Sequence, residues 1–235
     1  MSDSNVSTVT GTLYIISTPI GNLEDISFRA IRLLKEVALI AAEDTRHTQN
    51  LLNHYEINTH QTSYHDFNKE DKAPVLISRL QAGESIALVS DAGTPTISDP
   101  GFYLIRQAIA AEIPVSPIPG PTAAIAALSV SGLPPDRFVF EGFLPRKKGA
   151  RTKRLLSLAE DPRTLLFYES PYRIVRVLED IHAVLGNRRI VLCRELTKKF
   201  EEIVRGEIEA VIKNWKDKKI LGEFTLVVEG LKDRA

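Results

Sequence analysis

The segment SDAGTPTISDPG, residues 90–101, concentrates side chains that can bind a small polar molecule. Its twelve positions hold two Asp, two Gly, two Pro and four hydroxyl residues, directly after the apolar run SIALV. Gly and Pro allow backbone N–H and C=O groups to approach a ligand closely. Two similar segments, residues 17–27 (STPIGNLEDIS) and 117–124 (PIPGPTAA), also follow strand-like runs. Three such loops at strand ends favour a ligand site over three ordinary turns.

The composition of these loops limits the kind of ligand. The first strand-like run is not followed by G-x-G-x-x-G, and the chain contains no G-x-x-x-x-G-K-[ST]. The usual dinucleotide site and the phosphate-cradling nucleotide loop are therefore unsupported. Backbone amides, carboxylates and hydroxyls suit an uncharged or cationic polar molecule better than a triphosphate. The five His show no metal-ligand spacing with one another or with the single Cys193, so we predict no metal site.

Candidate acid–base residues follow two other predicted strands. The first set is Glu43, Asp44 and Arg46, and the second is Tyr168, Glu169 and Arg173. In one interpretation Glu43 or Asp44 accepts a proton and Arg46 binds a phosphate. In the alternative, Asp44 caps the next helix and Arg46 forms an outward salt bridge. Glu169 is a second candidate, and the sequence does not choose a general base among them.

A short basic segment, residues 146–154 (RKKGARTKR), stands out in a chain of balanced charge. The whole protein has 30 Lys and Arg against 30 Asp and Glu, which argues against coating nucleic acid through bulk charge but leaves room for a local patch. The segment has six basic residues and no acid: Arg146, Lys147, Lys148, Arg151, Lys153 and Arg154. We predict that they contact the phosphates of a nucleic acid; the alternative is the solvated start of a helix.

Strand-like and helix-like patterns alternate along the chain, which predicts an α/β protein with largely parallel sheets. Strands are predicted at 12–18, 38–44, 85–91, 114–118, 137–143, 163–170, 188–196 and 222–230. Helices are predicted at 26–37, 46–56, 72–83, 102–112, 121–132, 150–161, 171–186 and 207–217. The Pro- and Gly-rich segment 114–122 predicts the boundary between an N-terminal α/β domain, residues 1–117, and a C-terminal α/β domain, residues 118–235.

The three loop segments together resemble the tetrapyrrole-methylase superfamily of S-adenosylmethionine-dependent methyltransferases. Four more segments resemble one branch, the small-subunit ribosomal RNA methyltransferase I family: AAEDTRHTQNLL, LPRKKGARTKRL, FYESPYRI and CRELTKKFEEIVRG. The resemblance runs over about residues 12 to 230. It implies methylation of the ribose 2′-oxygen of a cytidine in the decoding region of 16S ribosomal RNA, without a metal.

The resemblance also implies a structure and a partner. It implies two α/β domains of the tetrapyrrole-methylase type, with S-adenosylmethionine in the cleft between them, and a homodimer that acts on the small ribosomal subunit. The positions that match the superfamily's cofactor site are Pro19, Asp91, Ala92, Gly93, Thr94, Ile97, Thr122 and Ala123. Members of the family often continue past the last strand, so this sequence is either a shortened form or a short natural one. If an RNA-contacting segment is missing, we expect an intact cofactor site and weak RNA methylation.

Two readings compete with an RNA methyltransferase. A methylase of the same superfamily could act on a tetrapyrrole-like molecule or a protein, although such substrates need no row of phosphate partners. The second alternative is a non-catalytic RNA-binding assembly factor. The three intact loops argue against this alternative. The polar start MSDSNVSTVTG and the lack of any apolar run near the roughly 18 residues of a membrane span predict a cytoplasmic protein. Cys193, in IVLCREL, is predicted to be a buried structural thiol.

Overall fold

The computed structural model of the protein describes residues 10–216 and 220–232. Residue 217, the end of the last predicted helix, and most of the polar start lie outside the described residues. The chain divides into two compact units between Thr122 and Ala123, which we call the first and the second unit. The domain boundary after residue 117 stays a prediction, and the strand Val115–Ile118 continues one residue beyond it.

The first unit is a parallel five-stranded sheet flanked by helices. Its strands, in the spatial order β3-β2-β4-β1-β5, pair in parallel throughout. They are β1 Leu13–Ile16, β2 Leu39–Ala42, β3 Gln61–Ser63, β4 Ile86–Val89 and β5 Val115–Ile118. The helices are α1 Phe28–Glu36, α2 Thr45–His54, α3 Lys69–Gln81 and α4 Phe102–Ala110, and a short 3-10 helix spans Leu23–Asp25. The three-residue strand β3 was not predicted.

The helices of the first unit cover both faces of its sheet. Helices α1 and α2 pack with Ala87 and Val89 on one face, whereas α3 and α4 pack with Ile86 and Leu88 on the other. The chain moves in one direction across the sheet from β1 to β3 and then returns through β4 to β5. Because the crossover connections are right-handed, the helices of the outward path and those of the return path lie on opposite faces. The segments after the adjacent strands β1 and β4 therefore diverge, and ligands of α/β sheets bind at such a point.

The second unit has a mixed sheet, in the order β6-β7-β10-β8-β9. Its strands are β6 Phe138–Phe143, β7 Thr164–Glu169, β8 Arg189–Arg194, β9 Glu202–Glu207 and β10 Phe224–Val228. Its helices are α5 Ala123–Ser131, α6 Lys148–Leu156, α7 Ile174–Leu185 and α8 Ile208–Trp215. Among the strands described in this unit, β6 and β7 pair in parallel, while the other three strand pairs are antiparallel. The prediction of largely parallel sheets is therefore wrong for this unit, because β10 runs between β7 and β8 in the opposite direction and β8 turns directly into the unpredicted strand β9.

The core of the second unit lies on both faces of this sheet. Helices α6, α7 and α8 cover one face, and α5 covers the other, where Leu166, Val227 and Cys193 pack together. Cys193 is buried, which confirms its prediction as a structural thiol, and burial raises the pKa of its thiol to about 11. Within the described residues, no helix combines the length and apolar character needed to cross a membrane.

Candidate functional site

The carboxyl ends of β4, β1 and β5 bring the three predicted loops of the first unit together. Thr18 N donates a hydrogen bond to Gly93 O at 2.9 Å, and Gly93 N donates one back to Thr18 O at 3.0 Å. This two-way bridge joins the loop after β1 to the loop after β4, where the following helices diverge to opposite faces of the sheet. Gly93 has φ +81°, a left-handed conformation that favours glycine.

A chain of hydroxyl groups joins the third loop to the other two. Thr94 Oγ1 lies 2.8 Å from Ser17 Oγ and 2.7 Å from Thr122 Oγ1, and it donates to Pro121 O at 3.2 Å. A hydroxyl donates one hydrogen bond and accepts two. Ser17 and Thr122 must therefore donate to Thr94, whose side chain is then saturated. A cofactor contact at Thr94 would come from its backbone.

The loop after β4 contains strained backbone. Thr96 has φ +76° and Ser98 has φ +70°, although neither residue is a glycine. Left-handed conformations are uncommon for such residues, above all for a β-branched one. Strain of this kind is retained where the surrounding structure enforces it, and it clusters at ligand sites. Ile97 lies between these two residues and is exposed, as expected for a side chain that a bound ligand would cover.

The other predicted cofactor residues differ in exposure. Ala92 is exposed, like Ile97, and Gly93 is buried; the half-buried ones are Pro19, Asp91, Thr94, Thr122 and Ala123. All except Ala123 belong to the first unit, and Ala123 is the first residue of α5 in the second unit. Their role in cofactor binding stays a prediction.

Three carboxyl groups crowd together at the ends of β2 and β4. Asp91 Oδ1 accepts a hydrogen bond from Asp44 N at 3.0 Å, and Glu43 Oε2 accepts one from Asp91 N at 3.4 Å. Burial, reinforced by the charge of Asp91, raises the pKa of Glu43. Burial and then the charge of Glu43 raise the pKa of Asp99 to about 7, against the opposing effect of the Ser90 hydroxyl. Such crowded carboxyls favour either protonation or a neighbouring cation.

Sequence reasoning did not single out Asp99, although it lies in the same twelve-residue segment as Asp91. The signal was available, because SDPG repeats the Ser-Asp pair with which the segment begins. Within the described residues, no group of three or more His, Cys, Asp or Glu is placed to hold a metal ion.

Asp44 and Arg46 adopt the arrangement of the alternative interpretation. Asp44 precedes α2 and its Oδ1 accepts a hydrogen bond from Arg46 N at 2.8 Å. The Arg46 guanidinium lies 3.4 Å from the same carboxylate and is largely exposed. Hydrogen bonds from the Arg46 backbone and side chain lower the pKa of Asp44. A helix-capping carboxylate with a lowered pKa is a weak proton acceptor.

Glu169 is buried at the end of β7 and interacts with its neighbours. Ser170 N donates to its Oε1 at 2.7 Å, and an Arg173 nitrogen lies 3.2 Å from its Oε2. Burial raises the pKa of Glu169 despite these contacts. This contact makes Glu169 an ion-pair partner of Arg173, and an acid–base role for it stays a prediction.

The basic segment divides into structural and exposed residues. Arg151 is only 1% exposed; it forms an ion pair with Asp180 at 2.5 Å and donates to Pro145 O and Arg146 O. The predicted RNA contact at Arg151 is therefore corrected, because its guanidinium is enclosed by protein partners. Arg154 makes two hydrogen bonds to Glu141, at 2.5 and 2.7 Å.

The remaining basic residues of the segment face solvent. Arg146, Lys147, Lys148 and Lys153 are exposed. Across the part of the chain that the structure describes, no ion pair joins them to an acidic side chain. They can contact an external phosphate. Arg154 is exposed as well but is paired with Glu141, and an RNA contact at Arg154 stays a prediction.

Comparisons with known proteins agree on one family. The sequence model for Tetrapyrrole (Corrin/Porphyrin) Methylases matches residues 12–212. A protein of Halalkalibacterium halodurans named Ribosomal RNA small subunit methyltransferase I is 54% identical over 220 residues, which cover 94% of this chain and 76% of the relative. A protein of the same name from Pseudomonas aeruginosa is 57% identical over 194 residues, which cover 82% of this chain and 69% of the relative.

A solved structure shares the fold at low sequence identity. Uroporphyrin-III C-methyl transferase from Thermus thermophilus, complexed with S-adenyl homocysteine, superimposes with a TM-score of 0.65 and 20% identity. The match covers 92% of this chain and 97% of that one. At this level of identity the likeness shows the fold alone.

Proposed function

Because this chain belongs to the tetrapyrrole methylase family, and within it to the proteins named Ribosomal RNA small subunit methyltransferase I, we propose that it methylates the ribose 2′-oxygen of a cytidine in the decoding region of 16S ribosomal RNA. The methyl donor is S-adenosylmethionine. The observation that carries the proposal is the junction of three loops at the carboxyl ends of β4, β1 and β5, joined through Thr94 and the Thr18–Gly93 bridge.

The residues at this junction fit the proposed donor, which carries a sulfonium and an ammonium group. Glu43, Asp91 and Asp99 supply carboxyl groups, and burial followed by the charge of a neighbouring carboxyl raises the pKa values of Glu43 and Asp99. A nearby cation would offset that unfavourable charge. The backbone of residues 91–94 and the exposed side chain of Ile97 can contact the rest of a folded ligand. We assign cofactor binding to this set together with Pro19, Thr122 and Ala123.

The chemistry requires alignment and the removal of one proton. The bound sulfonium supplies an activated methyl group, so the reaction does not require a metal. The chain's own task is to hold the 2′-oxygen in line with the methyl carbon, which can supply much of the acceleration. We place the proton acceptor at Asp99 or Glu43, because a carboxyl with a raised pKa is a better base near neutral pH than the capping carboxylate of Asp44.

We assign RNA phosphate binding to the exposed cations Arg146, Lys147, Lys148 and Lys153 of the second unit. We further propose that the enzyme is a cytoplasmic homodimer. The dimer is supported by Phe102 and Ile109, two turns apart on one side of α4 and 67% and 62% exposed, since a second copy could cover such an apolar stripe. Sedimentation of the purified protein tests the oligomeric state.

The central experiment follows labelled methyl groups. The protein is incubated with labelled S-adenosylmethionine and small ribosomal subunits from cells that lack the enzyme, and the label is mapped. We expect ribose label at a single cytidine. Label only on a porphyrinoid or a protein would overturn the RNA assignment, and a cofactor that binds without being consumed would indicate an assembly factor.

A charge-only substitution links the activity to the junction. Asp91→Asn retains an acceptor for Asp44 N but removes the negative charge, so cofactor affinity should fall about tenfold, the scale of a charge-assisted contact. Asp136→Asn is the matched control, because Asp136 is an exposed acid paired with Arg137 in the second unit. Equal cofactor affinity of the two variants in calorimetry would remove Asp91 from the site.

A further inference from the structure

Two aromatic side chains are exposed at the carboxyl ends of the neighbouring parallel strands β6 and β7. Phe143 is the last residue of β6 and is 56% exposed, and Tyr172, in the turn between β7 and α7, is 92% exposed. Aromatic rings of this size normally contribute to a core or an interface. An exposed pair at one edge of a sheet is therefore a candidate binding surface.

An irregularity in β6 sets the direction of Phe143. The register between β6 and β7 shifts between Phe140 and Gly142, so that Phe143 lies opposite Tyr168. The extra residue, Glu141, interrupts the alternation of side chains. Phe143 consequently lies on the same face of the sheet as Phe140, whereas an uninterrupted strand would place it on the other face. Gly142, at φ +63°, supplies the left-handed conformation that this irregularity uses.

Phe143 is supported from behind by a row of aromatic rings. The Tyr168 ring contacts both Phe140 and Phe143 edge-on, with centroid separations of 4.9 and 5.8 Å. The Tyr168 hydroxyl in turn accepts a hydrogen bond from Ala124 N at 3.1 Å. The ring of Phe143 is thus held by a fixed neighbour while more than half of its surface stays exposed, which is the arrangement of a rigid stacking surface.

Hydrogen bonds fix the segment that follows Phe143. Leu144 O accepts from Arg173 Nη2 at 2.8 Å, so the residue after Phe143 is joined to the residue after Tyr172. The next two carbonyl oxygens, of Pro145 and Arg146, accept from Arg151 Nη1 at 3.1 and 2.9 Å. Two arginines therefore hold three consecutive carbonyl groups. They fix the position of both the ring and the cations that follow it.

The cations beside these rings identify the ligand chemistry. Arg146, Lys147 and Lys148 follow Phe143 within five positions and are exposed. A groove or patch that combines cations for phosphates with aromatic rings for bases is characteristic of proteins that bind single-stranded nucleic acid. In a duplex, the faces of the bases are already stacked on one another and cannot contact the rings. The combination thus favours an unpaired strand over a duplex.

We propose that Phe143 and Tyr172 form a stacking platform for unpaired RNA bases whose phosphates contact Arg146, Lys147 and Lys148. The inference rests on the proposed function for the identity of the polymer as RNA, and it adds the class of substrate, an unpaired segment recognised through its base faces. Sequence analysis predicted the cations but not the rings, because the β6 irregularity that exposes Phe143 on this face has no clear sequence signature.

The test compares binding of a single-stranded RNA oligonucleotide with binding of the same sequence in a duplex, by fluorescence anisotropy without cofactor. Phe143→Ala and Tyr172→Ala should each weaken single-strand binding about tenfold, the scale of one stacked base, and leave duplex binding unchanged. Tyr172→Phe keeps the ring and should bind like the unmodified protein. Phe200→Ala is the matched control, because Phe200 is exposed in the turn between β8 and β9 and should not affect binding of either RNA.

Salt dependence separates the rings from the cations. The logarithmic salt slope for single strands is roughly 0.7 for each phosphate contact. The double variant Lys147→Ala with Lys148→Ala should lower the slope by about 1.4, whereas Phe143→Ala should lower affinity at an unchanged slope. Thermal unfolding of each variant confirms that it is folded before binding is compared.

Each outcome decides for or against the platform. The platform would be overturned if the ring variants lost equal affinity for single-stranded and duplex RNA, or if neither alanine variant lost affinity. It would also be overturned if Phe143→Leu kept the full affinity for single-stranded RNA. Its failure is distinguishable from failure of the proposed function. If RNA binding depends on the rings but no methyl group is transferred, the platform stands and the proposed activity is wrong. If the cytidine is methylated but RNA binding does not depend on the rings, the activity stands and the platform is wrong.

Discussion

The two units differ in the charge that they place at the carboxyl ends of their parallel strands. The first unit gathers the acids Glu43, Asp91 and Asp99 at the ends of β2 and β4, with pKa values raised by burial and mutual repulsion for two of them. The second unit places Arg146 and Lys147 after β6, exposed and next to aromatic rings. A chain of zero net charge thus carries one region suited to a cation and one suited to a polyanion.

The units also differ in how they hold their loops. In the first unit, the neutral hydroxyl of Thr94 connects three loops through two other hydroxyls and one carbonyl. In the second unit, the charged guanidinium of Arg151 performs the equivalent task with two carbonyls and Asp180. Removing a neutral hydroxyl leaves a few hydroxyl and carbonyl groups without a hydrogen-bond partner. Removing one member of a buried ion pair leaves the other charge without a partner, which costs more free energy. The comparison predicts a larger loss of stability in the second unit.

The largest expected effect is at Arg151. Arg151→Met should lower the free energy of unfolding of the second unit by about 3 to 5 kcal/mol, because Asp180 then loses its buried partner. Lys153→Met, an exposed change on the same helix, should stay within about 0.5 kcal/mol. Urea unfolding followed by fluorescence of Trp215, the single tryptophan, reports on the core of this unit. Losses of similar size in the two variants would mean that the Arg151 pair is not structural.

A smaller effect is expected at Thr94. Thr94→Val removes the hydroxyl at nearly constant shape and should cost about 1 to 3 kcal/mol of unfolding free energy in the first unit. Because the three loops lose their connection, cofactor affinity should fall as well. Thr59→Val is the control, since Thr59 Oγ1 donates to Leu34 O at 2.6 Å away from the loops. Thr59→Val should lose stability but keep its cofactor affinity in calorimetry. If both variants lost cofactor affinity to the same extent, Thr94 would have no specific role in the site.

The smallest expected effect is the pH dependence caused by Asp99. A carboxyl whose pKa rises from 3.8 to about 7 on folding stabilises the protein below pH 4 and loses that contribution as the pH rises through 7. Asp99→Asn cannot ionise, so its stability relative to the unmodified protein should increase from pH 4 to pH 8. Partial exposure of Asp99 reduces the expected gain to about 1 kcal/mol.

Asp44 provides the opposite case for that pH series. Its pKa is lowered from 3.8 by hydrogen bonds from Arg46, so Asp44→Asn should lose relative stability as the pH rises toward 3.8 and stay level above it. The pH series therefore has to extend below pH 4. Unfolding measured at several pH values distinguishes the two trends. Parallel trends for both variants would contradict the assignment of opposite environments to Asp44 and Asp99.

Local sequence chemistry was sufficient to predict the loops of the first unit. Gly and Pro stand directly after apolar runs in each of the three segments, and parallel strands necessarily bring such segments to one edge of a sheet. Burial of Cys193 was predicted in the same way, from the apolar residues around it. These predictions succeeded because each depends on residues close together in the sequence.

The features that were missed depend on contacts between distant residues. The burial of Arg151 requires Asp180, twenty-nine positions away, so a basic segment gives no sign that one of its members is enclosed. The direction of β10 depends on its insertion between β7 and β8, and the pKa of Asp99 depends on its burial and then on the charge of Glu43. Local patterns carry no information on such pairings.

The position of β1 between β4 and β5 has a consequence for synthesis of the protein. Its two partners, β4 and β5, come later in the chain, so the strand that is made first waits for about 70 residues, or several seconds at a ribosomal rate of roughly 5–20 residues per second. During that interval the apolar run LYII has no neighbour with which to pair. The nascent first unit consequently relies on late, long-range closure, which is intrinsically slow and prone to aggregation.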